Sequence, residues 1–126
     1  MKRNQCSLKK LKHNISTYIN KSLFKFKTQK STKTTKIIGL SSVELKQYLE
    51  SKFQLGMTWD NYGEWHIDHI CPLSQAVDEN ELYKLWNYSN LQPMWAYLNI
   101  SKSDSPTKQG KELCLNLLNR SWNERC

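Results

Sequence analysis

The chain has 126 residues, which suffices for one compact domain. Its 19 Lys and Arg residues outnumber its 11 Asp and Glu residues, for a formal net charge of +8. This excess favours a polyanionic partner, with nucleic acid ahead of an acidic membrane surface. No run of 18 apolar residues is present and no apolar stretch follows the basic N-terminus, so we expect neither a membrane-spanning helix nor a secretory signal.

The four cysteines form no CxxC pair, which argues against an all-cysteine zinc site. Because no export is expected, we predict a cytoplasmic protein whose thiols are reduced. We expect Cys71 in particular to be an inert, small apolar residue.

The basic excess lies in the first third of the chain. Residues 1–43 contain 11 basic residues and no acidic residue, whereas residues 44–126 contain 8 basic and 11 acidic residues. We therefore predict that residues 1–36 form a basic N-terminal arm that grips phosphates; the alternative is a disordered, solubilising leader. Apolar residues at helical spacing predict an amphipathic helix over residues 7–26. The polar stretch 27–36 predicts a flexible linker or a phosphate-tracking segment.

Capping signals and β-prone runs mark the next elements. Ser41 and Glu44 form a capping box, which predicts a second helix that ends near residues 52–53. The run 65–70 predicts a short strand, which Pro72 ends.

The remaining elements follow the same reasoning. Asp78 and Glu81 predict the start of a third helix. Residues 91–94 predict a brief strand at a sheet edge, because Pro93 has no N–H to donate to a neighbouring strand. A short helix is predicted from Trp95 and a last helix over residues 107–122.

The adjacent residues Asp68 and His69 are the first candidates for chemistry. A carboxylate supplies a hard oxygen ligand for a divalent cation, and an imidazole that titrates near neutrality can take a proton from water. Neighbouring strand residues point to opposite faces, so the two side chains converge on one phosphate only if the strand ends or bends there, as Cys71 and Pro72 suggest. On its own, such a pair more often reflects packing than function.

Downstream residues extend this pattern. The elements are Asp68-His69-Ile70 with Pro72-Leu73-Ser74, then Asn90-Leu91-Gln92-Pro93, then Asn99 with Lys102. In this order and spacing they resemble the HNH endonuclease family. Residues 56–69 are also similar to HNH proteins encoded by phages and other viruses, including free-standing, homing-type enzymes. The resemblance covers residues 38–104.

The resemblance implies an α+β fold. Its centre would be a small ββα-metal core, the HNH or His-Me finger, over about residues 64–104, with flanking helices inside a nuclease domain that spans residues 37–126. The first 36 residues and the last helix lie outside the motif.

The resemblance also implies a role for each motif residue. His69 would be the general base, Asp68 and Asn99 the metal ligands, and Asn90 the residue whose amide braces the loop between the strands. Many relatives have His where this chain has Asn99, so the sequence resembles an HNN-type subgroup. An amide oxygen suits one Mg²⁺ or Mn²⁺ ion better than Zn²⁺. Many relatives also carry paired cysteines for a structural zinc. No structural zinc is expected here, and aromatic packing takes its place, by Trp59, Trp65, Trp86 and Trp95.

The implied activity is metal-dependent hydrolysis of double-stranded DNA by a nick or a double-strand cut, leaving a 5′-phosphate and a 3′-hydroxyl. The alternative is a non-cleaving DNA-binding accessory protein on the same scaffold, and an RNA-directed or structure-selective nuclease would share the site. No obligatory protein partner and no membrane contact are expected, and the location would be the host-cell cytoplasm if the chain is viral. Further candidates for DNA contact, each also explicable as an ordinary surface residue, are His66, Lys102, Lys9, Lys10 and Lys12.

Overall fold

The computed structural model describes residues 2–98 and 107–120, with side chains from residue 8 onward. Over this part of the chain the protein has an α+β fold, in which helices surround one two-stranded antiparallel sheet. The prediction of an α+β fold is confirmed at this level.

The first helix, α1, spans Lys2–Leu23 and is a structural part of the domain. Leu11, Ile15, Ile19 and Leu23 recur at helical spacing, and each is at most 1% exposed in the common core. Burying each of these side chains contributes about 1.5–3 kcal/mol to folding. The predicted helix is confirmed, but its apolar face is joined to the rest of the domain, so it is not a disordered leader.

A short helix and a capped helix follow. The helix α2 spans Thr34–Ile38 and ends at Gly39, whose φ of 87° is the left-handed conformation that glycine adopts without a steric cost. The prediction of a flexible linker over residues 27–36 is therefore wrong for residues 34–36. These residues are helical, because burial of Ile37 and Ile38 fixes this segment against the core.

The helix α3 spans Ser42–Glu50. The Glu44 N–H donates to the Ser41 hydroxyl, and the Ser41 N–H donates to the Glu44 carboxylate. The predicted capping box is confirmed. The bond from the Ser41 N–H is the main reason why the pKa of Glu44 lies below its ordinary value, because it favours the charged carboxylate.

The sheet is a pair of five-residue strands far apart in sequence. Strand β1 spans Trp65–His69, strand β2 spans Leu91–Trp95, and the two are antiparallel. Pro93 lies opposite Ile67 in this register. Because each strand has one partner strand among the described residues, each has an open edge there, and Pro93 is accommodated as the sequence predicted.

The segment between the strands carries the helix α4, which spans Glu79–Leu85. The Glu81 N–H donates to the Asp78 carboxylate at 2.8 Å, so the predicted helix start is confirmed. Residues 96–98 are helical after β2. The last helix, α5, spans Lys108–Leu118 and is capped by the Thr107 hydroxyl.

Aromatic side chains pack at the start of β1. Trp65 is fully buried and lies 4.6 Å from the Tyr62 ring and 5.1 Å from the Phe53 and Trp59 rings, centroid to centroid. Trp86 is also buried, whereas Trp59 and Trp95 are half-buried. Burial raises the pKa of the Tyr62 hydroxyl above its ordinary value.

Candidate functional site

Asp68 lies in β1 one residue before the strand ends. Its side chain is only 5% exposed, although carboxylates are seldom buried without a partner. The side-chain amide of Gln92, directly opposite in β2, donates to Asp68 Oδ2 at 2.9 Å. The strand pairing therefore fixes the position of this carboxylate.

His69 is the last residue of β1 and is half-buried. Its ring meets the Trp86 ring edge to face, with centroids 4.2 Å apart and planes at 88°. Trp86 is itself held because its indole N–H donates to the Ser22 hydroxyl of α1 at 3.1 Å. Trp86 thus connects the helix α1 to the candidate base, His69.

Asn90 lies immediately before β2 and is fully buried. Its side-chain oxygen accepts from the Cys71 N–H at 2.7 Å, and its amide donates to the carbonyls of Cys71 and Leu85 at 2.9 and 2.8 Å. Its own carbonyl accepts from the Ile70 N–H at 2.9 Å. The backbone that follows His69 is therefore bound to one residue, Asn90, which directly precedes the other strand.

The same segment is supported from behind by α5. Cys71 and Cys114 form a disulfide between Cα atoms 5.3 Å apart. The expectations of reduced thiols and of an inert Cys71 are wrong at this pair, because α5 packs directly on the loop after β1. Gly110 permits this approach, since a Cβ atom there would lie only 2.8 Å from the Ile70 carbonyl oxygen.

Beyond the end of α5, Arg120 binds the other end of the same loop. Its guanidinium contacts both carboxylate oxygens of Glu81, at 2.7 and 3.0 Å, and also donates to the Gln75 carbonyl. The bond from Arg120 is the main reason why the pKa of Glu81 lies below its ordinary value.

The remaining predicted site residues are spread over the surface or lie outside the described residues. His66 is exposed in β1 opposite Met94. Asn99 and Lys102 both lie outside the described residues. The predicted lysines Lys9, Lys10 and Lys12 are exposed on α1.

Lys10 is the member of this group that contacts the strand region. Its ammonium lies 5.2 Å from the centre of the Tyr62 ring and donates to the Tyr62 carbonyl at 3.4 Å.

Asp68, His69 and Asn90 lie at one end of the sheet, and the predicted lysines lie on the neighbouring helix α1.

Sequence reasoning did not single out two residues that hold this group. Gln92 lies in a segment that carries the resemblance, but no role was predicted for it, and its amide donates to Asp68. The alternation of a strand would have revealed it once the antiparallel register was known. Trp86 was predicted only as core, and no signal in the sequence indicated that His69 would lie on its ring.

Within the described ranges, no group of three or more His, Cys, Asp or Glu side chains is placed to hold a metal ion. Asp68 alone provides a buried carboxylate there. In that same part of the chain, no helix is both long and apolar enough to cross a bilayer.

Two proteins of Acanthamoeba polyphaga mimivirus are similar to this chain, and both are described only as uncharacterized. Uncharacterized protein L426 is 33% identical over 81 residues, which cover 62% of this chain and 36% of the relative. Uncharacterized protein L246 is 30% identical over 96 residues, which cover 73% of this chain and 42% of the relative. The chain thus spans about two fifths of the length of these relatives. No family model matches the chain. No solved structure matches it either.

Proposed function

We propose that the chain is an HNN-type HNH endonuclease that hydrolyses DNA phosphodiester bonds with the help of one Mg²⁺ or Mn²⁺ ion. The observation that carries the proposal is the pair of hydrogen bonds between the Asn90 side chain and the Cys71 backbone. They support the bracing role that the resemblance implies for Asn90. Asn90 directly precedes Leu91, which pairs with His69 in the sheet, so the segment that Asn90 braces follows directly after the two residues that the chemistry requires, Asp68 and His69.

In this proposal, His69 takes a proton from the attacking water. Its place at the end of β1 and its contact with Trp86 limit the orientations of the imidazole. The bonds from Asn90 hold the next two peptides, so the strand cannot shift relative to the loop without breaking them.

The donor chemistry of the site agrees with a hard divalent cation. Asp68 supplies a carboxylate oxygen, and the side-chain oxygen of Asn99 would supply a second oxygen ligand. Such an ion would offset the charge that develops on the phosphate and on the leaving 3′ oxygen. Gln92 orients the Asp68 carboxylate by its hydrogen bond.

The similarity to two mimivirus proteins supports a viral origin. Action in the cytoplasm of a host cell remains a proposal. The Cys71–Cys114 disulfide gives it no support, because disulfides are rare in reducing compartments.

A plasmid assay tests the proposed activity. Supercoiled DNA should be relaxed or linearised by the wild type with Mg²⁺ or Mn²⁺, and addition of EDTA should stop the reaction. Asp68→Asn should abolish cleavage while it keeps the shape of the side chain. Glu112→Gln is the matched control, because it makes the same change of carboxylate to amide at an exposed position of α5.

The result also separates this proposal from its alternative. Binding of the plasmid by the folded wild type without any strand breakage, at every metal concentration, would identify a non-cleaving DNA-binding protein and contradict the proposal. Preferential cleavage of RNA would place the same chemistry on a different substrate.

A further inference from the structure

A cleft of about 420 Å³ lies away from the strands, between α1, the start of α2 and the first turn of α3. Its polar lining is made of three lysines and several hydroxyl groups, which include Lys12, Ser16, Lys30, Lys33, Thr34 and Ser42. None of these residues belongs to β1, β2, α4 or α5. The cleft is therefore separate from the site around Asp68 and His69.

The charge of this cleft is of one sign. Among the residues that the structure describes, no acidic side chain lines it. Across the described ranges, none of its three lysines forms an ion pair, whereas Lys46 of α3 is paired with Glu50 at 3.1 Å. Positive charges that line one cleft without a counter-ion repel one another, and an anionic ligand would relieve that repulsion.

The cleft is also built from fixed backbone. The Lys30 N–H donates to the Asn20 side chain of α1 at 2.9 Å, which ties the segment before α2 to the first helix. Lys30 is half-buried, and so are Ser16, Thr34 and Ser42. Beneath them, the core residues Leu11, Ile15 and Ile38 line an adjoining apolar pocket. The floor of the cleft therefore packs directly against the hydrophobic core.

We propose that this phosphate cleft, defined by Lys12, Lys30, Lys33 and the neighbouring hydroxyls, seats a phosphodiester of a DNA strand. The polar groups of the lining are ammonium groups and hydroxyls, which match a ligand that is negatively charged and accepts several hydrogen bonds. A nucleic-acid phosphate meets both requirements. The sequence that forms most of the cleft has the same sign of charge, since residues 1–43 contain 11 basic residues, the three cleft lysines included, and no acidic residue.

The identity of the bound strand as DNA depends on the proposed function. The cleft would hold the strand at a distance from the scissile bond, as a contact to the backbone that carries no base specificity.

The test measures DNA binding without cleavage. A short labelled duplex is titrated in EDTA by fluorescence anisotropy over a range of salt concentrations. The triple variant Lys12→Gln, Lys30→Gln, Lys33→Gln should lower affinity by about 10-fold or more near 0.1 M salt. It should also reduce the slope of log K against log salt by about 1, because the loss of one phosphate contact removes about 0.9.

A second triple variant controls for net charge. Lys21→Gln, Lys84→Gln and Lys108→Gln remove the same three charges from exposed positions outside the cleft. This control should change affinity by less than about threefold. Circular dichroism verifies that both variants are folded.

Three outcomes would overturn the phosphate cleft. Equal losses in the two variants would show that only bulk charge matters. An unchanged salt slope in the cleft variant would show that these lysines touch no phosphate. Wild-type binding to phosphatidylserine vesicles but not to the duplex would assign the cleft to a lipid surface. Because cleavage plays no part in this measurement, a protein that fails to cut plasmid can still pass it, and an active nuclease can still fail it.

Discussion

Two hydrogen bonds join the side chain of Asn90 to the backbone N–H and carbonyl of Cys71. The Cys71 N–H donates to Asn90 Oδ1 at 2.7 Å, and Asn90 Nδ2 donates to the Cys71 carbonyl at 2.9 Å. Both residues are fully buried, so water cannot replace these bonds. One amide thus fixes the chain two residues after the candidate base, and the disulfide to Cys114 fixes it again.

We predict that Asn90→Ala destabilises the fold. The change leaves the Cys71 N–H and the carbonyls of Cys71 and Leu85 without their partner in a buried site, which should cost about 3 kcal/mol. Urea unfolding measures the loss. Asn116→Ala, at an exposed position of α5, is the control and should change stability by less than about 0.5 kcal/mol. Equal stability of the two variants would show that the Asn90 bonds carry no weight.

The disulfide predicts a stability that depends on redox conditions. Cys71 and Cys114 are 43 residues apart, and closing such a loop should stabilise the fold by about 2–4 kcal/mol. Cys114→Ser should therefore lower the urea midpoint. Dithiothreitol should lower that of the wild type by a similar amount while it leaves the variant unchanged. An unchanged urea midpoint of the wild type in dithiothreitol would contradict the pairing. Alkylation of Cys71 in the unreduced wild type would also contradict it.

The ion pair between Glu81 and Arg120 predicts a loss of stability in acid. Because Arg120 lowers the folded-state pKa of Glu81 below the ordinary 4.5, the pair stabilises the fold fully above that value. Its contribution is lost as the pH falls through the lowered folded-state pKa.

Glu81→Gln should therefore cost about 1 kcal/mol at neutral pH. The difference from the wild type should shrink in a series of urea unfolding curves taken below pH 4.5. Glu112→Gln, an exposed position on α5, is the control. A gap between Glu81→Gln and the wild type that stays constant down to the most acidic sample would mean that this carboxylate is not the titrating group.

Local chemistry explains which elements were predictable. The Ser41–Glu44 capping box and the cap at Asp78 each depend on a few adjacent residues, so the sequence alone indicated them correctly. The residues alone predicted two short strands, and only the resemblance to a ββα core implied that they form an antiparallel pair. Their register depends on contacts between residues 65–69 and 91–95, which lie far apart in sequence.

Contacts between distant segments explain what was missed. The disulfide forms because α5 packs on the loop after β1. The residues next to Cys71 and Cys114 in the sequence give no indication of this packing. The same holds for Gln92 beside Asp68 and for Trp86 beside His69. The helix α1 was predicted from its period, but only the packed structure shows that its apolar face is core. Removing residues 1–36 would therefore damage the fold, and lysine substitutions are the appropriate test of DNA contact.

The rate of plasmid cleavage by His69→Ala tests the central claim most directly. His13→Ala is the control, because it removes an exposed imidazole of α1, outside the site. With Mg²⁺ and DNA both saturating, loss of a general base should slow the His69 variant by about 10²–10⁴-fold, while the His13 variant stays close to the wild-type rate. Cleavage by folded His69→Ala at the wild-type rate would contradict the assignment of His69 as the base.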